Sequence, residues 1–172
     1  MPPIEPWRRW PVTDVVVDSS VAVAWALPDE HLHPAAIRVI DQLGVGRLEP
    51  FVAGHFAFEV RHGLVRAARA GRLAWSTIPD WIGAIDDLDA TIVPLLDDDE
   101  VILGLAREHG LTWGDAHWVH TAAQLDLPLL TADRRLARAV PDEVAIVVYL
   151  GDDQAPERSA ATPRAGGPAG KR

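Results

Sequence analysis

Four acidic residues end or interrupt apolar segments of this chain. Asp18 closes Val15-Val16-Val17-Asp18, and Asp133 closes Pro128-Leu129-Leu130-Thr131-Ala132-Asp133. Glu59 sits within Gly54-His55-Phe56-Ala57-Phe58-Glu59-Val60, and Asp115 within Leu111-Thr112-Trp113-Gly114-Asp115-Ala116. A carboxylate beside buried apolar residues is costly unless its charge is compensated. If the four meet, they repel one another. One or two hard divalent cations, Mg2+ or Mn2+, are the natural compensation, because such ions prefer oxygen ligands and keep exchangeable water. Cations held this way activate water and stabilise the oxygens of an in-line phosphoryl displacement. Three of the four also have a plainer reading. Asp18 and Asp133 suit the N-caps of following helices, and Asp115 suits a capping box with Thr112. Glu59 is harder to explain away, because it interrupts an otherwise apolar stretch.

The elements that must position these residues alternate between strand and helix. Val15–Val17 reads as a strand buried on both faces, since an uninterrupted β-branched run suits a covered parallel strand. A short helix follows from Ser19 to about Leu27, stopped at Pro28-Asp29. Residues 34–43 read as a helix ended by Gly44, and Phe51-Val52 as a second strand. Residues 55–69 carry Phe56, Val60, Leu64 and Ala67/Ala68 on one side. Glu59 shares a different face with His62, Gly63 and Arg66. Residues 76–88 place Trp81, Ile82, Ile85 and Leu88 on one face, read as core. Thr91–Val93 is a strand, 98–109 a helix opened by Asp97-Asp98-Asp99, and 113–125 a helix capped by Thr112. Leu129-Leu130, a short helix at 133–139 and a strand from Ala145 to Tyr149 complete the order. Such alternation implies a three-layer α/β/α sandwich around a central, mostly parallel sheet. Ligands of such folds bind at the carboxyl ends of strands, where Asp18 and Asp133 fall.

Composition narrows the chemistry. At 172 residues, 48% apolar, the chain is long enough for one domain with a real core. It has no cysteine, which excludes disulfides, thiolate metal sites and a cysteine nucleophile and fits a reducing, cytoplasmic setting. No apolar run is long enough to span a membrane, and the N-terminus lacks the pattern of a signal peptide. Residues 1–13 read as a loosely ordered extension, 14–150 as the folded domain and 151–172 as a disordered basic tail. Net charge is −9 overall but −13 over residues 14–153, whose basic residues are ten arginines and no lysine. That excludes chemistry needing a buried lysine and makes phosphoaspartyl signalling or phosphatase chemistry a poor reading. An acidic body attracts phosphate only if cations bridge the two.

The chain resembles the PIN-domain ribonucleases, specifically the VapC-type toxins of bacterial type II toxin–antitoxin pairs. The resemblance rests on Val16-Val17-Asp18-Ser19-Ser20-Val21-Ala22, Phe58-Glu59-Val60, Thr112-Trp113-Gly114-Asp115-Ala116 and Leu129-Leu130-Thr131-Ala132-Asp133-Arg134-Arg135-Leu136. Each motif is weak alone; in this order, on these elements, they are specific. The resemblance implies a PIN-like domain over 14–150 and a metal-dependent endoribonuclease using Mg2+ or Mn2+. Asp18, Glu59, Asp115 and Asp133 would be catalytic, with Asp18 and Asp115 on the metal and Glu59 and Asp133 reaching it through water. Ser19 and Thr131 would support the site by hydrogen bonding. It further implies RNA as substrate, a VapB-type antitoxin as partner, and a homodimer. One departure is visible: His62 stands where many relatives carry an asparagine.

Arg61, Arg66 and Arg134 are the candidates for gripping RNA phosphates or the acidic residues of an antitoxin segment, against a reading as solvated helix faces. His117 and His120 read as core or surface histidines, and the acidic run 97–100 as a helix-dipole complement. The competing functional reading is a non-catalytic PIN-like module that only binds RNA or a partner.

Overall fold

The chain is described here from a computed structural model, which covers residues 14–95 and 98–152. The expected N-terminal extension, Asp97 and all but the first two residues of the expected basic tail lie outside the described residues. Five strands form one sheet: β1 (Asp14–Val17), β2 (Glu49–Ala53), β3 (Thr91–Val93), β4 (Leu129–Thr131) and β5 (Val147–Tyr149). Their order is β3-β2-β1-β4-β5, and all four pairings are parallel. Among the described residues, seven α-helices complete the α/β/α arrangement: α1 (Ser19–Ala26), α2 (His33–Gly44), α3 (Phe56–Arg69), α4 (Ile78–Asp86), α5 (Asp99–His109), α6 (Trp113–Leu125) and α7 (Arg134–Ala139).

Strands β1 and β4 pair in the middle of the sheet and are its most buried strands. Val15, Val16 and Val17 of β1 and Leu129, Leu130 and Thr131 of β4 are all buried. They pair Val16 to Leu129 and Val17 to Leu130. Successive strands run outward from β1 through β2 to β3, then return to the other side of β1 as β4 and β5. The direction of winding therefore reverses between β1 and β4, and a crevice at their carboxyl ends is the expected ligand position. The register closes this crevice at a defined height, because the Asp18 N–H donates to Leu130 O at 3.0 Å.

The core has two parts. The larger contains β1, β2, β4 and β5 together with α2, α6 and single residues such as Ile102 and Leu136. The smaller joins Ala22 and Ala26 of α1, Val60, Leu64 and Ala68 of α3, and Ile78 and Ile85 of α4. Trp81 meets Trp25 edge-on at 5.2 Å between centroids and Ile82 packs on the same cluster, so the apolar stripe of α4 belongs to the core as expected. Helix α3 approaches α1 closely at Gly63, where a Cβ would stand 2.7 Å from Val23 Cγ2. This proximity brings the Glu59 face of α3 against the start of α1. The last strand is shorter than expected. Val144 and Ala145 turn back to bond Pro141 O, so pairing begins only at Val147.

Leu64 is fully buried in the smaller cluster. Leu64→Ala is expected to destabilise the protein by about 2–5 kcal/mol, since the transfer loss is joined by the cavity left behind. Urea unfolding followed by circular dichroism measures it. A loss under about 1 kcal/mol would show that α3 is not held by this cluster.

Candidate active site

The four carboxylates line one cleft of about 520 Å³, together with Ser19, Ser20, His62, Gly63 and Arg66. Asp18 leaves β1 and caps α1, its side chain accepting from Ser20 N. Asp133 follows β4 and caps α7, accepting from Arg135 N at 2.7 Å and Leu136 N at 3.2 Å. Asp115 stands in the first turn of α6 in a complete capping box with Thr112. Glu59 projects from the first turn of α3. The capping roles and the shared cleft are thus both realised.

Asp18 is the most demanding of the four, being only 5% exposed. Its Oδ2 accepts from Thr131 Oγ1 and Ser20 Oγ, each at 2.6 Å, and its Oδ1 from Ser20 N and Ser19 Oγ, each at 3.2 Å. The two short donors are themselves held. Thr131 Oγ1 accepts from Asp133 N at 3.0 Å, and Ser20 Oγ accepts from Ala132 N at 2.9 Å. Burial pushes the Asp18 pKa up; the Ser20 and Thr131 hydrogen bonds oppose the rise, and the charge of Glu59 adds to it. Neutral donors alone therefore do not fully compensate this carboxylate.

Ser19 joins Asp18 to Glu59, since its Oγ also lies 2.7 Å from Glu59 Oε2. The same oxygen accepts from the indole N–H of buried Trp118 at 3.0 Å. Glu59 Oε1 lies 3.5 Å from His55 Nε2. Burial lowers the His55 pKa although Glu59 pulls it upward, so at neutral pH the imidazole brings no full charge to this contact. Space for the glutamate comes from Gly114, where a Cβ would sit 2.6 Å from Oε1. On the far side of the cleft Arg135 donates to Asp115 Oδ2 and lies 3.8 Å from Asp133 Oδ2.

Ser19 and Thr131 both donate hydrogen bonds to Asp18. Arg66 lines the cleft on the exposed face of α3 and, among the described residues, pairs with no carboxylate. Arg134 borders an adjoining groove with its guanidinium over the Tyr149 ring at 5.2 Å. Arg61 does not reach the cleft: it pairs with Asp86 of α4 at 2.8 Å. His62 stacks on Phe58, their centroids 6.2 Å apart and planes 19° apart, and both line the cleft. His117 and His120 are buried outside it, His120 bonding Asp98 at 3.1 Å. The sequence reading missed Ser20, Trp118, Gly114 and the inward turn of Arg135. Ser20 carried a signal, being a hydroxyl two residues after the carboxylate that caps its helix.

The donor set suits a hard divalent cation. All four groups offer oxygen donors to one cleft, and the buried one lacks a full counter-charge. Among the described residues no three carboxylates or imidazoles converge closely enough to hold an ion as they stand. Asp115 is turned to Arg135 instead.

Thr131→Val keeps the shape but removes a donor from Asp18 and the acceptor of the Asp133 N–H. The expected cost is about 1–3 kcal/mol. The Asp18 pKa, already above its unfolded value of 3.8, should rise further. Because the folded pKa is the higher one, ionised Asp18 costs stability; the penalty is absent below pH 3.8 and grows as pH rises through the folded pKa. Carboxyl NMR titration of both proteins checks the shift, and an unchanged Asp18 pKa would contradict it.

The family model described as PIN domain matches residues 15–140, which include all four carboxylates. The structure of PAE2754 from Pyrobaculum aerophilum superposes with a TM-score of 0.59 at 24% identity, covering 78% of this chain and 83% of that one. That of FitAcB from Neisseria gonorrhoeae gives a TM-score of 0.50 at 18% identity, covering 79% of this chain and 97% of that one. At these identities the likeness is one of fold. No curated protein matches in sequence. A family match that runs from β1 to the end of α7, through both strands that flank the cleft, establishes that the chain belongs to the PIN-domain family.

Proposed function

We propose that the chain is a Mg2+- or Mn2+-dependent endoribonuclease and the toxin of a toxin–antitoxin pair. PIN domains are generally nucleases. The observation that carries the reading is the gathering of Asp18, Glu59, Asp115 and Asp133 on one cleft at the switch point of a parallel sheet. When bound, a divalent cation supplies water activation and neutralises charge on the phosphate. Asp18 and Asp115 are the direct ligands in this reading, with Glu59 and Asp133 acting through water. Ser19, Ser20, Thr131 and Trp118 fix the carboxylates by hydrogen bonds, so little reorganisation is left to the moment of reaction.

RNA is supported by the rim of the cleft. Phe58 is 74% exposed and stacked on His62, offering a flat face to an unpaired base. Arg66, one turn beyond His62, offers a phosphate contact, as does Arg134 beside the adjoining groove. The antitoxin partner, of VapB type, rests on the motif resemblance to VapC-type toxins. A homodimer is supported by exposed apolar side chains: Ile92 on edge strand β3, Leu95, and Val101 and Leu103 on α5. Among the described residues no helix is long and apolar enough to cross a membrane.

The purified chain should cleave RNA with Mn2+ or Mg2+, leave 5′-phosphate ends and lose activity to a chelator. Asp18→Asn should lower the rate on the order of a hundredfold or more while the fold persists. Sequencing of 5′ RNA ends after induction identifies the target. Equal cleavage by wild type and Asp18→Asn would falsify the nuclease reading, as would growth arrest that survives the substitution.

A further inference from the structure

A cation already stands at the edge of the acidic cleft. Arg135 lies in the first turn of α7, and 52% of its side chain is exposed, yet the guanidinium turns back toward Asp115 and Asp133. One terminal nitrogen donates to Asp115 Oδ2 and stands 3.8 Å from Asp133 Oδ2. The other donates to Gly110 O at 3.4 Å. The backbone N–H of the same residue donates to Asp133 Oδ1. A single arginine thus grips two of the four carboxylates, one carried by α6 and one by the cap of α7.

Asp115 Oδ2 is used twice, by Arg135 and by the Thr112 N–H at 3.2 Å. A divalent cation taking that oxygen would face the guanidinium at close range, and like charges there repel strongly. Guanidinium and divalent cation therefore compete for that oxygen. An ordinary exposed ion pair adds little to a fold. This one differs in that its acidic partners belong to the same cleft as buried Asp18, where carboxylate charge is least compensated.

The geometry points to Arg135 as a built-in counter-ion that competes with the divalent cation for Asp115. It holds the cleft together without the cation and sets the cation concentration at which the site loads. This inference rests on the reading of the cleft as a divalent-cation site, and it identifies Arg135 as a positioning residue that tunes that site.

The test is Mn2+ titration of the full chain without RNA, followed by thermal melting and by tryptophan fluorescence. Wild type, Arg135→Gln and Arg135→Lys are compared. Competition predicts that Arg135→Gln half-saturates at about fivefold lower Mn2+. It also predicts a lower melting temperature without metal and a larger rise at saturation. Arg135→Lys, which keeps the charge but loses the fork, should fall between. Added monovalent salt should narrow the gap. A residue that only braced α7 against α6 would give the opposite sign, because loosening the cleft weakens metal binding. Unchanged or weaker Mn2+ affinity in Arg135→Gln overturns the inference. If that variant does not fold, a lysine variant with affinity at or below wild type overturns it. Wild type that binds Mn2+ and cleaves RNA, beside a glutamine variant of equal affinity, sinks this inference alone. Absence of Mn2+ binding in wild type and variants alike sinks the nuclease reading first, and the competition with it.

Discussion

The compensation of one buried carboxylate organises the centre of this molecule. Asp18 ends a strand of three buried valines and has almost no access to water. Its charge is carried by hydroxyls from both sides of the β1–β4 junction. Ser19 and Ser20 come from the helix that Asp18 caps, and Thr131 comes from the end of β4. Each close hydroxyl also accepts a backbone N–H from the segment leading to Asp133. The network therefore ties the two strand ends to one another and places the second aspartate relative to the first. Pairing register, helix capping and the position of the cleft are consequences of one set of hydrogen bonds.

Capping and cation binding are often weighed as rival explanations for an acidic residue at a helix start. Here the geometry removes the rivalry. A carboxylate has two oxygens and several acceptor directions. Asp133 uses Oδ1 to cap α7, while Oδ2 faces Arg135. Asp115 closes its capping box and still lines the cleft. The first turns of α1, α3, α6 and α7 meet around the crevice, so their positive dipole ends favour the negative charges gathered there. Glu59 is held differently, through Ser19 and the Trp118 indole, in space left by Gly114. It is the one carboxylate whose place depends on a long-range fit rather than on its own turn.

That difference explains what was legible in the sequence. The strands around the cleft announced themselves as apolar runs, and the helices as periodic stripes with caps, because both are local patterns. The carboxylates were legible because charge beside such runs is costly. The fate of the arginines was legible in part. Arg66 lies seven residues from Glu59, close to two full turns, and shares its face; Arg61 lies two residues away and points elsewhere, to Asp86. Trp118, Gly114 and Arg135 were not legible as site residues. Their roles depend on which helices cross at what distance, and no spacing within the chain encodes a contact between positions 59 and 118 or between 115 and 135.

The charge balance of the cleft bears on how an acidic chain could act on a polyanion. Four carboxylates line the inside, with Arg66 on the wall and Arg135 spent on Asp115 and Asp133. A phosphate entering that field meets net repulsion until further positive charge arrives. The exposed aromatic stack of Phe58 and His62 lies outside this conflict, since stacking on a base draws on no charge. On the proposed reading the two kinds of contact therefore divide the work by position. Bases are held at the rim by flat faces, and the phosphodiester reaches the carboxylates only when their charge has been met. Discrimination between bases then belongs to α3, and the chemistry to the ends of β1 and β4, so substitutions on the exposed face of α3 can change what is cut without disturbing the network around Asp18.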